Sequence, residues 1–72
     1  MLWRAQWITR SGVARQATWP VPDGARAQFD WLVKRRDKFL VGMWGEIADN
    51  GDFKLLGHFD NLGPRDDATD PS

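Results

Sequence analysis

Few side chains in this sequence could do nucleophilic or acid–base chemistry. His58 is the single histidine, Ser11 and Ser72 are the two serines, and cysteine is absent. A Ser-His-Asp arrangement would have to draw on Ser11, His58 and one of many aspartates, with no nucleophile elbow to present the serine. A more economical reading of His58 is a strand residue whose neighbour Asp60 offers a hydrogen-bond acceptor. One histidine without cysteine gives none of the ligand spacings of a zinc site. The group Asp49-Asn50-Gly51-Asp52 carries oxygen ligands, but lacks the twelve-residue calcium loop and its closing glutamate; it reads as a hairpin turn. Gly42 and Gly45 flank Met43-Trp44 without the signature of a phosphate loop, and read as bulge or close-packing positions. No catalytic centre, metal or cofactor is therefore expected, and the chain is read as not an enzyme.

A second kind of chemistry, recognition by contact, is better represented. In FDWLVKRRDKF (29–39), Trp31 stands beside Asp30, Lys34, Arg35 and Lys38, away from the stripe of Phe29, Leu32 and Val33. Cations in the last turn of a helix complement its dipole and stay solvated. The same cations could instead form a patch for phosphate or for an acidic protein surface, with Trp31 as an anchor. Trp and Arg are the residues most enriched at binding hot spots, whereas basic residues interleaved with aromatics also serve single-stranded nucleic acids.

The elements that must position these residues follow from periodicity. Trp3, Ala5, Trp7 and Thr9 alternate with Arg4, Gln6, Ile8 and Arg10, the pattern of a half-buried strand. VARQATW follows, and a three-residue loop at Arg10, Ser11 and Gly12 pairs Trp7 with Arg15, Ala5 with Ala17 and Trp3 with Trp19. Pro20 and Pro22 end that second strand because they cannot donate to a ladder. Asp23 is expected to cap a helix starting at Gly24 or Ala25. Its apolar arc would hold Ala25, Phe29, Leu32 and Val33, with Arg36 near the middle.

Asn50-Gly51 is the strongest short hairpin signal, and a two-residue turn there pairs Ala48 with Phe53, Glu46 with Leu55 and Trp44 with Gly57. One face then holds Leu40, Trp44, Ala48, Phe53, Leu55 and Phe59. The other carries Val41, Met43, Ile47 and Leu56 with Lys54 and His58. One helix covers only one side of a sheet, so a second apolar face is left over.

Composition limits the possible partners. Ten Lys and Arg balance ten Asp and Glu, which removes the usual electrostatic motive for non-specific nucleic-acid binding. Residues 1–62 hold nine basic and seven acidic side chains, an excess of two, because Arg65, Asp66, Asp67 and Asp70 lie in the tail. No apolar stretch approaches the roughly 20 residues of a membrane helix, so no membrane partner is expected, and the reading is a cytoplasmic protein. The Arg, Ala, Gly, Asp and Trp bias without Tyr suits a GC-rich gene of a bacterium or its phage. Domains near this size bury only about 60% of the surface their unfolded chains expose, which makes five Trp and four Phe useful sources of core area.

The expected fold is α+β: a small ββαββ domain over residues 1–62 with an antiparallel sheet packed on one helix, followed by a disordered acidic tail at 63–72. The expected role is a small non-catalytic protein-binding module, an inhibitor or adaptor of phage or mobile-element origin that occludes a site on a larger assembly. Its partner-binding residues would be Trp31, Lys34, Arg35, Lys38, Val41, Met43, Ile47 and Leu56. One alternative is a nucleic-acid binder using Trp31 and the 34–38 cluster; another is a homodimer whose open sheet faces pack together.

Overall fold

The computed structural model describes residues 1–61; the acidic tail at 63–72 lies outside them. The chain forms β1 (Leu2–Thr9), β2 (Ala14–Trp19), α1 (Pro22–Lys34), a 3-10 turn (Arg36–Lys38), β3 (Phe39–Ile47) and β4 (Phe53–Asp60). The strands make one sheet in the order β2-β1-β3-β4, antiparallel throughout. With α1 packed on that sheet, this is the expected ββαββ arrangement. The two hairpins are joined into a single sheet by pairing of β1 with β3 at its centre, a link that local sequence patterns do not specify.

The first hairpin has the register read from the sequence: Trp3 opposite Trp19, Ala5 opposite Ala17 and Trp7 opposite Arg15. In its turn the Thr9 amide donates to Val13 O and the Gly12 amide to Thr9 O, both at 2.9 Å. Ser11 belongs to this turn, its hydroxyl 2.9 Å from Thr9 Oγ1.

The second hairpin departs from expectation. Its loop is Asp49, Asn50 and Gly51, with the Ala48 amide donating to Asp52 O and the Gly51 amide to Ala48 O, both at 2.8 Å. The expected two-residue turn would need left-handed backbone at both central residues. Here Gly51, at φ 91°, closes a three-residue loop, and Asn50 Oδ1 accepts the Asp52 amide at 3.0 Å. The extra loop residue shifts the register, so Ile47 faces Phe53, Glu46 faces Lys54 and Gly45 faces Leu55. A bulge at Leu56 then restores the expected pairing of Trp44 with Gly57. Because side chains alternate with period two, the shift moves Phe53 and Leu55 off the face assigned to them from sequence and puts Lys54 in their place.

The helix also begins earlier than expected. Val21 occupies the cap position with extended backbone, and Pro22 and Asp23 are already within the first turn. Proline suits the first helical position, where its fixed φ is helical and its missing N–H has no partner to lose. Asp23 therefore acts on the dipole of that turn and makes no capping bond. At the other end α1 stops at Lys34, where the Arg35 amide donates to Leu32 O at 3.0 Å. Arg36, expected within the apolar arc, is beyond the helix and exposed.

Ala5, Ala25, Leu32 and Phe39 are the buried hydrophobic residues. Around them, on the helix side, Trp19 lies against Gly24, and Trp44 and Phe29 lie against Gly57. The Phe29 and Phe59 rings meet at a centroid distance of 6.1 Å. The four strand tryptophans are all half-buried, as broad rings at the margin of a small core should be.

Asn61 locks the helix-to-β3 connection. Its side-chain amide donates to both Arg36 O and Phe39 O, and its backbone amide donates to Leu40 O at 2.6 Å. Asn61→Ala removes both side-chain bonds and is expected to cost about 1–2 kcal/mol, since each contributes on the order of 1 kcal/mol and the Phe39 carbonyl is poorly placed for solvent. A lower urea midpoint with unchanged slope would match; an unchanged midpoint would show that the clasp is not stabilising.

Candidate functional site

The residues singled out from the sequence fall on two sides of the sheet. Trp31, Lys34, Arg35 and Lys38 gather at the C-terminal end of α1. Trp31 is 43% exposed, and its position outside the helix stripe has an explanation in the fold. Ile8 pairs with Val41 but Thr9 pairs with Phe39, so Leu40 is an extra residue and Phe39 turns to the helix side. There Phe39 is 8% exposed beneath the Trp31 ring, at a centroid distance of 5.9 Å. The Arg35 guanidinium lies 4.4 Å from the Trp31 ring centroid, within cation–π range.

The cations of this end are largely engaged with backbone oxygens. Arg35 Nη1 donates to Trp31 O at 3.3 Å, Arg36 Nη1 to Val33 O at 3.4 Å, and Arg10 Nε to Asp37 O at 2.9 Å. Trp31 O and Val33 O lie in the last turn of α1, where carbonyls outnumber the amides that can reach them, and Asp37 O lies in the 3-10 turn that follows. Lys34 and Lys38 are exposed. The cluster thus completes the helix terminus and presents two lysines beside a partly covered indole.

Val41, Met43 and Ile47 lie together on the face opposite α1. Alternation along the strands and the observed registers place Leu2, Ile47 and Phe53 in one row across the sheet, followed by Thr18, Arg4, Gly45 and Leu55. Gln16, Gln6, Met43 and His58 make the next row, and Ala14, Ile8, Val41 and Asp60 the last. Within this face Ile8, Val41, Met43, Ile47 and Phe53 are half-exposed, while Leu2 and Leu55 are 45% and 47% exposed. None of the described elements covers it.

Two details shape this surface. The Arg4 guanidinium lies 4.8 Å from the Phe53 ring centroid, and Arg4 Nε is buried without a hydrogen-bond partner. Arg4 reaches Phe53 across Gly45, where a larger residue would obstruct it. Toward one end of the strands, β2, β1 and β3 together line a hollow of about 370 Å³ formed by Gln6, Ile8, Ala14, Gln16, Val41 and Met43, with Trp7 and Arg15. The hollow thus falls within the rows of Gln6 and Ile8, whereas Phe53 and Leu55 belong to the other two rows of the face.

Leu56 separates from the rest of the expected set: it is the extra residue of the bulge in edge strand β4, 45% exposed. Sequence reasoning missed Leu2, Ile8, Phe53 and Leu55 as members of the open face. A usable signal was present, since Arg10-Ser11-Gly12 and Asp49-Asn50-Gly51 are both three-residue segments ending in glycine. Reading both as the same loop would have put Phe53 and Leu55 beside Ile47.

Among the described residues no group of three His, Cys, Asp or Glu is placed to hold a metal ion, and no helix is long and apolar enough to cross a membrane. Comparison with protein-family models, curated proteins and solved structures found no match to this chain.

Proposed function

We propose that this chain is a small non-catalytic protein-binding module that docks through the open face of its sheet and acts by covering a site on a larger assembly, as an inhibitor or adaptor does. The observation that carries this reading is the row-by-row continuity of Leu2, Ile8, Val41, Met43, Ile47, Phe53 and Leu55 with no element of the described fold over them. Apolar surface of this kind, running along β3 and crossed on β1 by Arg4 and Gln6, is characteristic of interaction sites. Burying it gains about 25 cal/mol per Å² of apolar area. Nucleic-acid binding through Trp31 and the 34–38 cluster has weaker support: formal charge is balanced, and the Arg35 and Arg36 guanidinium groups are turned toward backbone carbonyls.

The test is comparative capture from cells that carry the gene, using the unmodified chain, Met43→Glu on the open face and Lys34→Glu at the helix end. A protein retained by the unmodified chain and by Lys34→Glu, but lost with Met43→Glu, supports docking through the sheet. Equal retention by all three chains would overturn it.

A further inference from the structure

We infer that the free edge of β2 takes up an extended segment of another protein as a fifth, antiparallel strand, with a large apolar side chain of that segment seated in the hollow beside Ala14 and an acidic one next to it against Arg15. The inference rests on the docking reading above, because the hollow belongs to the open face, and names the kind of occupant.

The edge is built to pair. In the first turn the Thr9 amide donates to Val13 O, and in an antiparallel ladder bonded pairs recur at every second residue. Trp7 with Arg15, Ala5 with Ala17 and Trp3 with Trp19 are therefore the bonded pairs of β1 and β2. The amides and carbonyls of Ala14, Gln16 and Thr18 point the other way, since β2 has β1 as its one neighbour among the described strands. All three residues are exposed, and these outward groups make no hydrogen bond among the described residues. Edge strands are commonly blunted by proline, a bulge or lysine. The opposite edge, β4, has its bulge at Leu56 and carries Lys54, whereas β2 keeps an unbroken register and has none of these devices.

The hollow selects the occupant. A strand added in the bonded register sets residues opposite Ala14, Gln16 and Thr18, with their side chains on the open face. The one opposite Ala14 meets only a methyl group between itself and Ile8, Val41 and Met43, the apolar lining of the hollow. Reach across one strand suits an aromatic or similarly long side chain. A second copy pairing through its own β2 would bring Ala14, Gln16 or Thr18 to that place and leave the hollow unfilled. The neighbouring position of the added strand faces Arg15 on the helix side, in an unbonded pair where side chains lie closest. Arg15 is exposed, is the one charged residue of β2 and makes no ion pair among the described residues, so a carboxylate there completes the match. Main-chain bonds supply the affinity and these two side chains the choice of segment.

The probe is the peptide acetyl-Ser-Thr-Val-Thr-Glu-Phe-Ser-amide, which sets its second Thr opposite Gln16, its Glu opposite Arg15 and its Phe opposite Ala14. A contact this small supports a dissociation constant of about 0.1–1 mM, so the isotope-labelled full chain is titrated to about 2 mM peptide and followed by heteronuclear NMR. The amides of Ala14, Gln16 and Thr18 should shift and exchange more slowly with solvent. Changing the peptide Phe to Ala should weaken binding about tenfold. Changing its Glu to Lys should weaken binding about threefold, a loss that Arg15→Glu reverses. N-methylation of the Thr opposite Gln16 should abolish binding, as should Gln16→Pro, which removes an outward N–H and leaves the bonds to β1 in place. The N-methyl peptide is used with the unmodified chain and keeps the test decisive should Gln16→Pro unfold. No shift at these amides at the highest concentration, or shifts indifferent to the N-methyl group, to loss of the phenyl ring or to the reversed charge, would overturn the inference. So would shifts of the same amides with chain concentration in the absence of peptide, which would give the edge to a second copy. The docking reading is judged separately: a captured protein lost with Met43→Glu yet retained by Gln16→Pro keeps that reading and removes the edge from it.

Discussion

Leu32→Ala should unfold a large part of the population at ambient temperature. Leu32 is fully buried and is the largest side chain in that state, held between α1 and the sheet. Removing its isobutyl group forfeits transfer free energy and leaves a cavity that four strands and one helix have few ways to close; such truncations cost about 2–5 kcal/mol. A domain with this number of ordered residues has a total stability of only about 3–9 kcal/mol. The expected loss of about 3–4 kcal/mol is thus of the same order as the whole. Leu32→Met nearly conserves volume and should cost less than about 1.5 kcal/mol. Urea titrations followed by tryptophan fluorescence measure both. Equal midpoints for the two variants would mean that the core does not depend on this contact.

Gly45→Ala should be nearly as damaging, for a different reason. A Cβ at Gly45 would run into the backbone carbonyl of Lys54 and the ring of Phe53. The carbonyl belongs to the partner strand beside the Leu56 bulge, so it cannot rotate away as a side-chain tip could. Either β4 separates locally from β3 or the bulge is lost, and the latter would turn Phe53 and Leu55 to the helix side. The expected cost is about 3 kcal/mol, the upper part of the range for overpacking, accompanied by faster amide exchange along β4. Gly12→Ala is the informative control. Gly12 has φ 92° with nothing near its would-be Cβ, so it should lose only about 1–2 kcal/mol of backbone preference. Similar losses for both variants would show that the close approach at Gly45 is unimportant.

The sequence alone determined the local elements of this protein. Alternation of Trp3, Ala5 and Trp7 with polar residues specified a strand and its inward face, and the prolines around Val21 marked where β2 gives way to α1. The loop ending in Gly12 specified the first register, because the turn and the strands that it joins are adjacent in the chain. Val41, Met43 and Ile47 were legible as surplus apolar surface for the same reason: a single helix has too little area to cover both sides of a sheet.

Tertiary structure decided what depends on strands meeting across distance. Pairing of β1 with β3, the bulge at Leu56 and the extra residue at Leu40 are not encoded by any nearest-neighbour pattern. Each of them changes which side a residue occupies: a one-residue shift in a period-two element exchanges its faces. That is how Phe53 and Leu55 joined the open face, and how Phe39 came under Trp31. The composition of a strand is local, but the side on which its residues do their work is set by the register of its neighbours.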